Sequence, residues 1–321
     1  MMKSRNAPLA ALALAACAAA SPLAAQAPGA AAAQGSAAEL RIGVLPDADS
    51  LPLLVADAEG LFAAEGVKAR LVPFKTALER DAAFQAGAVD GAVSDLLAAA
   101  LAAQAGFDQR VASLTDGRYG LVSAPGSGLA RPVDLAGVEI GISANTVIQY
   151  AADCLLTKAG VPPQAIKGLA VPKIQVRMEL LLSGQLKAAC LPEPLLTVAR
   201  ARGATLVGAS DDAGLSAGVI LFAGPVLDSR LADVTAFYRA CWRAASAINA
   251  DPARYRRFLV DKAGFPEEAR DAFTFVRYAK PRLPAEADVA AVMSWMKAKG
   301  LLTKELKPAS VLDGRAVAAL R

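Results

Sequence analysis

Acidic and hydroxyl side chains follow the first predicted strand and are the first candidates for chemistry in this chain. Asp47, Asp49 and Ser50 stand directly after residues 41–45, an apolar run that predicts a strand. Two carboxylates in one loop favour a ligand with a cationic or hydrogen-bond-donating part, although aspartate and serine also favour solvated turns. Further polar candidates follow later strands at the same depth: Lys75, Thr76, Ser94, Asp95 and Asp116.

Residues 143–146 form a second polar loop, between a predicted strand and a predicted helix. In this interpretation Ser143 or Asn145 caps the start of the helix. Thr146 is a further candidate for ligand contact. The free backbone N–H groups at a helix start favour an anion or a carbonyl oxygen, but many caps are purely structural. Tyr150, on the first helical turn, either closes a pocket or packs in the core.

A third candidate is Glu193, which stands between Pro192 and Pro194 after a short apolar strand. The two prolines restrict the backbone around this carboxylate. Glu193 is therefore a candidate partner for an amine or a ring N–H group. Gln175 is a candidate donor to the same ligand, whereas Arg177 is open to a purely solvated role.

The chain contains no histidine, so no imidazole is available for a catalytic triad, a zinc site or a proton shuttle near neutral pH. This absence disfavours most hydrolase mechanisms, and we predict no catalytic residue. No phosphate-binding P-loop motif is present, so the chain is not expected to hydrolyse a nucleotide itself. We predict neither a cofactor nor a bound metal.

Three cysteines lie in the body of the chain, and their spacing is not that of a metal site. Cys154 falls on a predicted helix and Cys190 at a strand end, so a disulfide between them is geometrically possible in an exported protein. The favoured interpretation is that Cys154, Cys190 and Cys241 are buried thiols that pack as small apolar side chains.

Strands alternate with helices from residue 41 to residue 94, and this order predicts a parallel α/β sheet. A second alternation opens with a strand at 138–142 and continues to about residue 207. Sheets of this kind bind ligands at the carboxyl ends of their strands, where the polar candidates stand. Beyond residue 225 the pattern predicts helices, including a long amphipathic one at 231–250 whose aromatic residues favour a core position.

Several motifs resemble one protein family in their order and spacing. IGVLPDADSLPLLVADAEGLFAAEGVKARLVPF and FQAGAVDGAVSD are similar to the start of periplasmic solute-binding proteins of ABC importers. The branch is the nitrate, sulfonate, taurine and thiamine-precursor type. DLAGVEIGISANTVIQYAADCLLTKAGV and LLSGQLKAACLPEPLLTVARARGATLV extend the resemblance to about residue 223.

The resemblance implies a two-lobed periplasmic binding protein fold of type II, in which each lobe is a mostly parallel sheet flanked by helices. Residues 39–122 and 223–321 would form the first lobe, and residues 123–222 the second. Hinge crossings would fall near Val122 and Phe222, with the ligand between the lobes. A membrane permease and an ATPase are the implied partners, and ligand binding would favour the closed form.

The first 27 residues are expected to be a secretory signal peptide, with Lys3 and Arg5 ahead of a short apolar stretch. Residues 14–17 match a bacterial lipobox, in which Cys17 is lipidated and becomes the first mature residue. Ordinary cleavage at the Ala-x-Ala site of residues 25–27 is the alternative. Residues 28–38 suit a flexible tether. These features predict the periplasm or cell envelope, with a lipid anchor.

The formal net charge is +4, and the basic residues are spread along the chain without a Lys/Arg-rich run. We therefore expect no nucleic-acid partner. No later stretch has the length of a membrane-spanning helix. The membrane contact that we predict is only through the lipid anchor, and the protein is expected to be a monomer.

Two other functions stay open beside import. One is an enzyme on the same fold, such as a pyrimidine-forming or dehydratase-like relative, although the pyrimidine-forming enzymes need a histidine that this chain does not contain. The other is a periplasmic solute sensor. The acidic candidates favour a small heterocycle or an amine-bearing metabolite over nitrate. A sulfonate or other anion is possible, although Leu191 stands where relatives often carry an aromatic residue.

Overall fold

Ten strands form two separate five-stranded sheets in residues 39–320, the part of the chain that this computed structural model describes. The predicted signal peptide, the lipidation site at Cys17 and the tether at 28–38 lie outside the described residues. In chain order the strands are β1 (Leu40–Val44), β2 (Ala69–Pro73), β3 (Gly91–Asp95), β4 (Gln109–Leu114), β5 (Tyr119–Ser123), β6 (Glu139–Ile142), β7 (Lys167–Ala170), β8 (Ala188–Pro192), β9 (Thr205–Ala209) and β10 (Gly218–Ala223).

Thirteen α-helices lie in residues 39–320, and none of them combines the length and the apolar character needed to cross a bilayer. They are α1 (Leu51–Ala58), α2 (Leu61–Ala64), α3 (Ala77–Gln85), α4 (Leu96–Ala105), α5 (Val147–Lys158), α6 (Ile174–Leu182), α7 (Leu195–Ala201), α8 (Gly224–Ser229), α9 (Leu231–Ala250), α10 (Arg256–Asp261), α11 (Glu267–Ala272), α12 (Glu286–Ala298) and α13 (Arg315–Ala318).

The first sheet has the strand order β2-β1-β3-β10-β4. Four of its strands run in one direction, and β10 runs antiparallel to both of its neighbours. Strand β3 is buried along its whole length, and a Cβ at its first residue, Gly91, would lie 2.8 Å from the Phe222 ring. Glycine at this position therefore allows β3 and β10 to approach closely. We call this sheet and the helices that pack on it the first lobe.

The second sheet repeats the same plan with the order β7-β6-β8-β5-β9. Here β5 runs antiparallel to β8 and β9, while the other four strands share one direction. We call this sheet and its helices the second lobe. Two mostly parallel sheets flanked by helices confirm the predicted α/β fold class.

The chain passes between the two sheets at residues 115–118 and again at residues 210–217, which we call the crossing segments. Strand β5 pairs only in the second sheet, and β10 pairs only in the first. The boundaries that the sequence suggested, at Val122 and Phe222, fall inside these two strands. Both strands are continuous buried apolar runs, and the change of sheet occurs at the turn-forming residues outside them.

The long helix α9 packs against α1 and α2 of the first lobe. The rings of Phe62 and Phe237 are stacked, with their centroids 5.4 Å apart. Phe237, Cys241, Ala244 and Ile248 are all buried, so the predicted apolar stripe of this helix is confirmed.

The remaining C-terminal helices reach both lobes. Helix α12 packs on α4, whereas α11 packs on α7 of the second lobe. Next to that contact, Arg202 Nε donates to a Glu268 carboxylate oxygen at 2.9 Å. Phe265 and Phe273, which flank α11, are buried. A segment near the C-terminus thus joins the second lobe to the first beside the crossing segments.

The three cysteines of the described part are all free thiols. Cys190 and Cys241 are buried, and Cys154 is partly exposed. Burial raises the pKa of the Cys190 thiol to about 12, so it is inert as a nucleophile near neutral pH. The open choice between a disulfide and packed thiols is resolved in favour of packed thiols in this structure.

Candidate ligand-binding site

The carboxyl ends of strands from both lobes meet at one small cavity of about 40 Å³. This volume accommodates about one water molecule, so the cleft is closed in this conformation. Residues of both lobes line the cavity: Leu45, Asp47, Asp49, Ala77, Arg80, Val93, Ser94, Asp95, Tyr119, Ser143, Thr146, Val147, Ile148, Ile174 and Pro192.

Backbone N–H groups take part in hydrogen bonds that join the lobes across the cleft. The backbone N–H of Ala48 donates to the Glu193 carbonyl oxygen at 2.7 Å. The backbone N–H of Val147, at the start of α5, donates to Asp95 Oδ2 at 3.2 Å. Asp95 Oδ1 accepts from the Ala98 N–H at 2.9 Å and so caps α4 of its own lobe. One carboxylate therefore serves the helices of two lobes.

Asp49 lies against the first crossing segment and the start of β10. Its carboxylate accepts hydrogen bonds from the Thr115 and Tyr119 hydroxyl groups, the latter at 3.1 Å. A Cβ at Gly117 would lie 1.9 Å from Asp49 Oδ2, and a Cβ at Gly218 would lie 2.6 Å from Oδ1. Both positions must therefore lack a side chain for the carboxylate to sit there.

Three buried carboxyl groups give the cavity its electrostatic character. Burial, followed by the nearby Asp49 charge, raises the pKa of Asp47 well above its ordinary value, while the hydrogen bond from Ser50 opposes the shift. Burial also raises the pKa of Asp49, against the hydrogen bonds from Thr115 and Tyr119. Burial raises the pKa of Asp95 to about 6. Burial in the closed cleft thus disfavours the charged forms of these acids.

Arg80 is a cavity residue that the sequence analysis did not identify. It is only 2 % exposed, and its Nη1 donates to the Val93 carbonyl oxygen at 3.1 Å. Its Nη2 lies 2.8 Å from an Asp81 carboxylate oxygen as an ion pair but makes no hydrogen bond of good geometry. The hydroxyl of Ser94 also lacks a hydrogen-bond partner. The helical spacing of the sequence indicates this burial, because Arg80 shares the buried face of α3 with Phe84.

Arg177 is completely buried, which corrects the solvated role left open for it. Its Nη1 donates to Ser143 Oγ and to the Val171 carbonyl oxygen, both at 2.8 Å. Its Nε and Nη2 have no hydrogen-bond partner, and burial lowers its pKa to about 10. Arg177 lies outside the cavity lining and fixes Ser143 through the Nη1 hydrogen bond, so it is a positioning residue. Its place between Ile174 and Leu181 on the buried face of α6 was visible in the sequence.

The structure brings six of the predicted residues to the cavity: Asp47, Asp49, Ser94, Asp95, Ser143 and Thr146. Two more are buried beside it in supporting roles. Ser50 donates to Asp47 from both its N–H and its hydroxyl, at 3.0 and 2.8 Å. Thr76 Oγ1 accepts from the Glu79 N–H at 3.1 Å and caps α3.

Three other predicted residues are exposed and lie outside the cavity lining: Lys75, Asn145 and Gln175. The helix cap that was expected from Ser143 or Asn145 comes from Thr146, whose Oγ1 accepts from the Ile148 N–H at 3.2 Å. Asn145 has a φ of 59°, in the left-handed region. It forms the turn ahead of that cap, which is why its side chain does not occupy the cap position.

The last three predicted residues face other parts of the molecule. The Glu193 carboxylate accepts from Arg118 Nη1 at 3.2 Å and from the Thr197 N–H at 3.0 Å, beside a crossing segment. Asp116 forms an ion pair with Arg282 at 2.9 Å. Tyr150 packs edge-on against Trp295, with ring centroids 5.5 Å apart. In each case a partner distant in sequence fixes the direction of the side chain.

No group of three or more acidic, cysteine or histidine side chains within residues 39–320 is arranged to hold a metal ion. The serine hydroxyls of the cavity are not paired with a base, since Ser143 accepts from Arg177 and Ser94 has no partner. The arrangement suits the binding of a small polar molecule by groups from two lobes.

Residues 47–255 match the NMT1/THI5-like family, and the chain belongs to that family. No curated protein matches it. Among solved structures, the alkanesulfonate-binding protein from Xanthomonas axonopodis pv. citri, bound to MOPS, superposes with a TM-score of 0.74. It is 19% identical, and the match covers 86% of this chain and 98% of that one.

Two further solved structures share the fold. The periplasmic aliphatic sulphonate-binding protein from Escherichia coli has a TM-score of 0.72 at 16% identity, with coverage of 85% of this chain and 97% of that one. The periplasmic nitrate-binding protein from Synechocystis PCC 6803 has a TM-score of 0.72 at 11% identity, with 87% of each chain covered. The fold is therefore the two-lobed fold of periplasmic binding proteins.

Proposed function

We propose that this chain is the extracytoplasmic substrate-binding component of an ABC importer. It captures a small metabolite in the cleft between its lobes and delivers it to a membrane permease that an ATPase drives. The observation that carries the proposal is the cavity where strand ends of both sheets meet, closed by the Ala48–Glu193 and Asp95–Val147 hydrogen bonds. Sheets of this type bind ligands at such ends.

The proposed lobes follow sheet membership. Residues 39–116 and 217–320 would move as the first lobe, and residues 117–216 as the second. The two crossing segments would form the hinge. Because the closed cavity holds only about 40 Å³, any metabolite must enter an open form, and its contacts with both lobes then favour closure.

We propose that the ligand carries an amine or the donor groups of a small heterocycle. Support comes from the balance of charges, since Asp47, Asp49 and Asp95 line the cavity with a single lining cation, Arg80. Arg80 Nη2 and the Ser94 hydroxyl, which make no hydrogen bond in this conformation, would donate to an acceptor on the same ligand. A sulfonate or another anion is the second candidate, favoured by those same donors and by the sulphonate-binding proteins of similar fold.

The cellular setting belongs to the same proposal. The positive start and short apolar stretch of residues 1–16 support export, and the lipobox at residues 14–17 supports a lipid anchor at Cys17. Ordinary signal cleavage would give a freely diffusing periplasmic protein instead. Labelling with radioactive palmitate, compared between the native chain and Cys17→Ala, separates the two.

Neither of the alternative functions has an observation of its own. An enzyme on this fold would need a base for its nucleophile, and the chain offers carboxylates and lysines but no histidine for that role. A solute sensor would use the same cleft and differ only in its membrane partner. Co-purification with a permease and an ATPase supports import, whereas capture of a membrane receptor alone supports sensing.

The first test is thermal melting of the exported protein after unfolding and refolding to remove bound solute. The panel contains thiamine-related pyrimidines, flavins, taurine, alkyl sulfonates, nitrate, bicarbonate and polyamines. A ligand at about 100 times its dissociation constant adds roughly 2.7 kcal/mol of stability. A clear shift with one compound, lost in Ser94→Ala together with Ser143→Ala, supports the cleft as the site.

A hit that survives the changes in the cleft contradicts the proposed site. Binding without any decrease in the radius of gyration by solution X-ray scattering contradicts closure on the ligand. If no compound shifts the melting point, native mass spectrometry of the protein before refolding shows whether it carries another solute. A protein without any bound solute would contradict the capture of a solute by the exported protein.

A further inference from the structure

A second and much larger cavity, of about 850 Å³, lies beside the crossing segments. The two crossing segments form one wall, and Thr197, Arg200 and Ala201 on one face of α7 form another. Residues 272–277, the coil that follows α11, form the third wall. We call this space the hinge cavity. Its volume is that of a typical small-molecule site.

The charged groups of the hinge cavity are unequally engaged. Its carboxylates all have partners: Asp116 pairs with Arg282, while Glu193 and Asp211 both pair with Arg118. Two guanidinium groups, those of Arg200 and Arg277, make no hydrogen bond or ion pair with any residue of the described range 39–320. The cavity thus offers two free cations and no free anion.

The rest of the lining is apolar or carries hydroxyl groups. Phe275 and Val276 are half-buried, and Leu215 and Ala217 lie on the opposite wall. Hydroxyl groups of Thr197, Ser216 and Thr274 complete it. An arginine fork binds two oxygens of a carboxylate or phosphate at once, and an aromatic ring beside it accepts an apolar body.

We propose that the hinge cavity is a second ligand site, for a small organic anion in which a carboxylate or phosphate group is attached to an apolar body. Arg200 and Arg277 bind the anionic group, and Phe275 contacts the apolar part. This site is separate from the cleft, because apart from the crossing segments it is formed by α7 and the coil at 272–277. The proposal of this second site does not depend on whether the cleft binds a transported solute.

A consequence follows for regulation, and it rests on the proposed function. An occupant of the hinge cavity contacts both crossing segments, α7 of the second lobe and the coil that returns to the first lobe. Its affinity therefore depends on the angle between the lobes, and by linkage it changes the affinity of the cleft ligand by the same factor.

The test uses phenyl phosphate and benzoate as probes of the two anion classes, and phenol as the uncharged control, in calorimetric titrations of the purified exported protein. We expect at least one anion to bind and phenol to fail. Arg200→Gln and Arg277→Gln should each weaken binding by about tenfold or more. Both side chains are exposed, so neither change should disturb the fold.

Two controls make the result specific. Arg257→Gln removes an equally exposed arginine of α10 that pairs only with Asp261, and it should leave the affinity unchanged. Ser94→Ala in the cleft should also leave it unchanged. The proposal is overturned if neither anion binds at 10 mM probe (about the weakest affinity worth a site), or if the double variant of Arg200 and Arg277 binds as the native protein does. A crystal structure with the probe in the cleft would overturn it equally.

Discussion

Asp95 and Val147 belong to different lobes, yet the Asp95 carboxylate accepts the backbone N–H of Val147 at 3.2 Å while it also caps α4. One of the free N–H groups at the start of α5 is in this way satisfied by a residue of the opposite lobe. Closure therefore places a negative group of one lobe at the positive end of a helix dipole in the other.

Replacement of Asp95 by asparagine separates these two roles. Asparagine remains a good helix cap, but its NH₂ group cannot accept the Val147 N–H. We expect the free energy of unfolding at pH 7 to stay equal or to rise, because ionised Asp95 with a pKa of about 6 costs up to about 3 kcal/mol in the closed fold. Affinity for a cationic ligand should fall at least tenfold.

Urea unfolding and calorimetric titration of the same variant measure these two quantities. Asp57→Asn is the control, since Asp57 is an exposed residue of α1 that does not line the cavity. A variant that loses stability while keeping its ligand affinity would contradict the assignment of Asp95 to the site.

The raised pKa values of the cleft acids predict the pH dependence of stability. In the unfolded chain these carboxyl groups titrate near pH 4, whereas Asp95 titrates at about 6 in the fold and burial raises Asp47 further. Between these values the native state binds more protons than the unfolded state. The free energy of unfolding of the ligand-free protein should therefore fall as the pH rises from about 4 to about 6, and continue to fall above 6 through Asp47.

Urea midpoints at half-unit pH intervals test this dependence. In Asp95→Asn the fall between pH 4 and 6 should shrink. A stability that increases steadily over this range would show that the acids are not buried in the closed, empty form.

Ligand binding should release protons if the ligand is a cation. A positive group beside Asp47 and Asp95 stabilises their charged forms and lowers the raised pKa values toward the ordinary range. Affinity should then increase as the pH rises from 6 to 8. Calorimetry in two buffers with different ionisation enthalpies counts the protons directly. Proton uptake would instead indicate an anionic ligand held by protonated acids and Arg80.

The alternation of strands and helices was visible in the sequence because each strand is a short apolar run bounded by turn residues. The predicted strand at 138–142 is β6 (Glu139–Ile142), and the long amphipathic helix predicted at 231–250 is α9. The pairing of β5 and β10 was not visible, because an apolar run shows no preference for one sheet over another. Long-range strand pairing decides this, and it places the crossing segments at 115–118 and 210–217 rather than near Val122 and Phe222.

The cavity residues fall into two groups: those whose place follows from local sequence pattern, and those whose place depends on contacts distant in sequence. Aspartates and serines directly after strands were predictable, since strand ends converge at one edge of a sheet. Arg80 and Arg177 were missed because an arginine on a helix is usually solvated, and burial of both depends on acceptors from other elements. Glu193 was misplaced because its direction depends on Arg118, 75 positions earlier, across a crossing segment.

Gly117 should tolerate no side chain. In Gly117→Ala the new Cβ would lie 1.9 Å from Asp49 Oδ2, which must leave its bonds to Thr115 and Tyr119. We expect a loss of about 1–3 kcal/mol of unfolding free energy. Gly208→Ala is the control, because its Cβ would meet only Leu155 at an ordinary 3.6 Å. Equal stability of the two variants would show that Asp49 is not fixed by the crossing segment.

A second contact between the lobes lies at α12, where Asp153 of α5 forms an ion pair with Lys299 at 2.5 Å and accepts from Trp295 Nε1 at 3.2 Å. Since α12 packs on α4 of the first lobe, these bonds join the two lobes in this closed conformation. Lys299→Gln removes one of two partners of the buried Asp153 carboxylate, so it should lower the free energy of unfolding by about 1–3 kcal/mol. It should also speed ligand dissociation by roughly two- to fivefold. The lost ion pair belongs to the closed form, so its removal lowers the barrier to opening.

Lys297→Gln is the matched control, because Lys297 lies two residues away and pairs with Glu305 instead. Stopped-flow dissociation of the cleft ligand distinguishes the variants, and equal rates in both would mean that α12 plays no part in holding the lobes together.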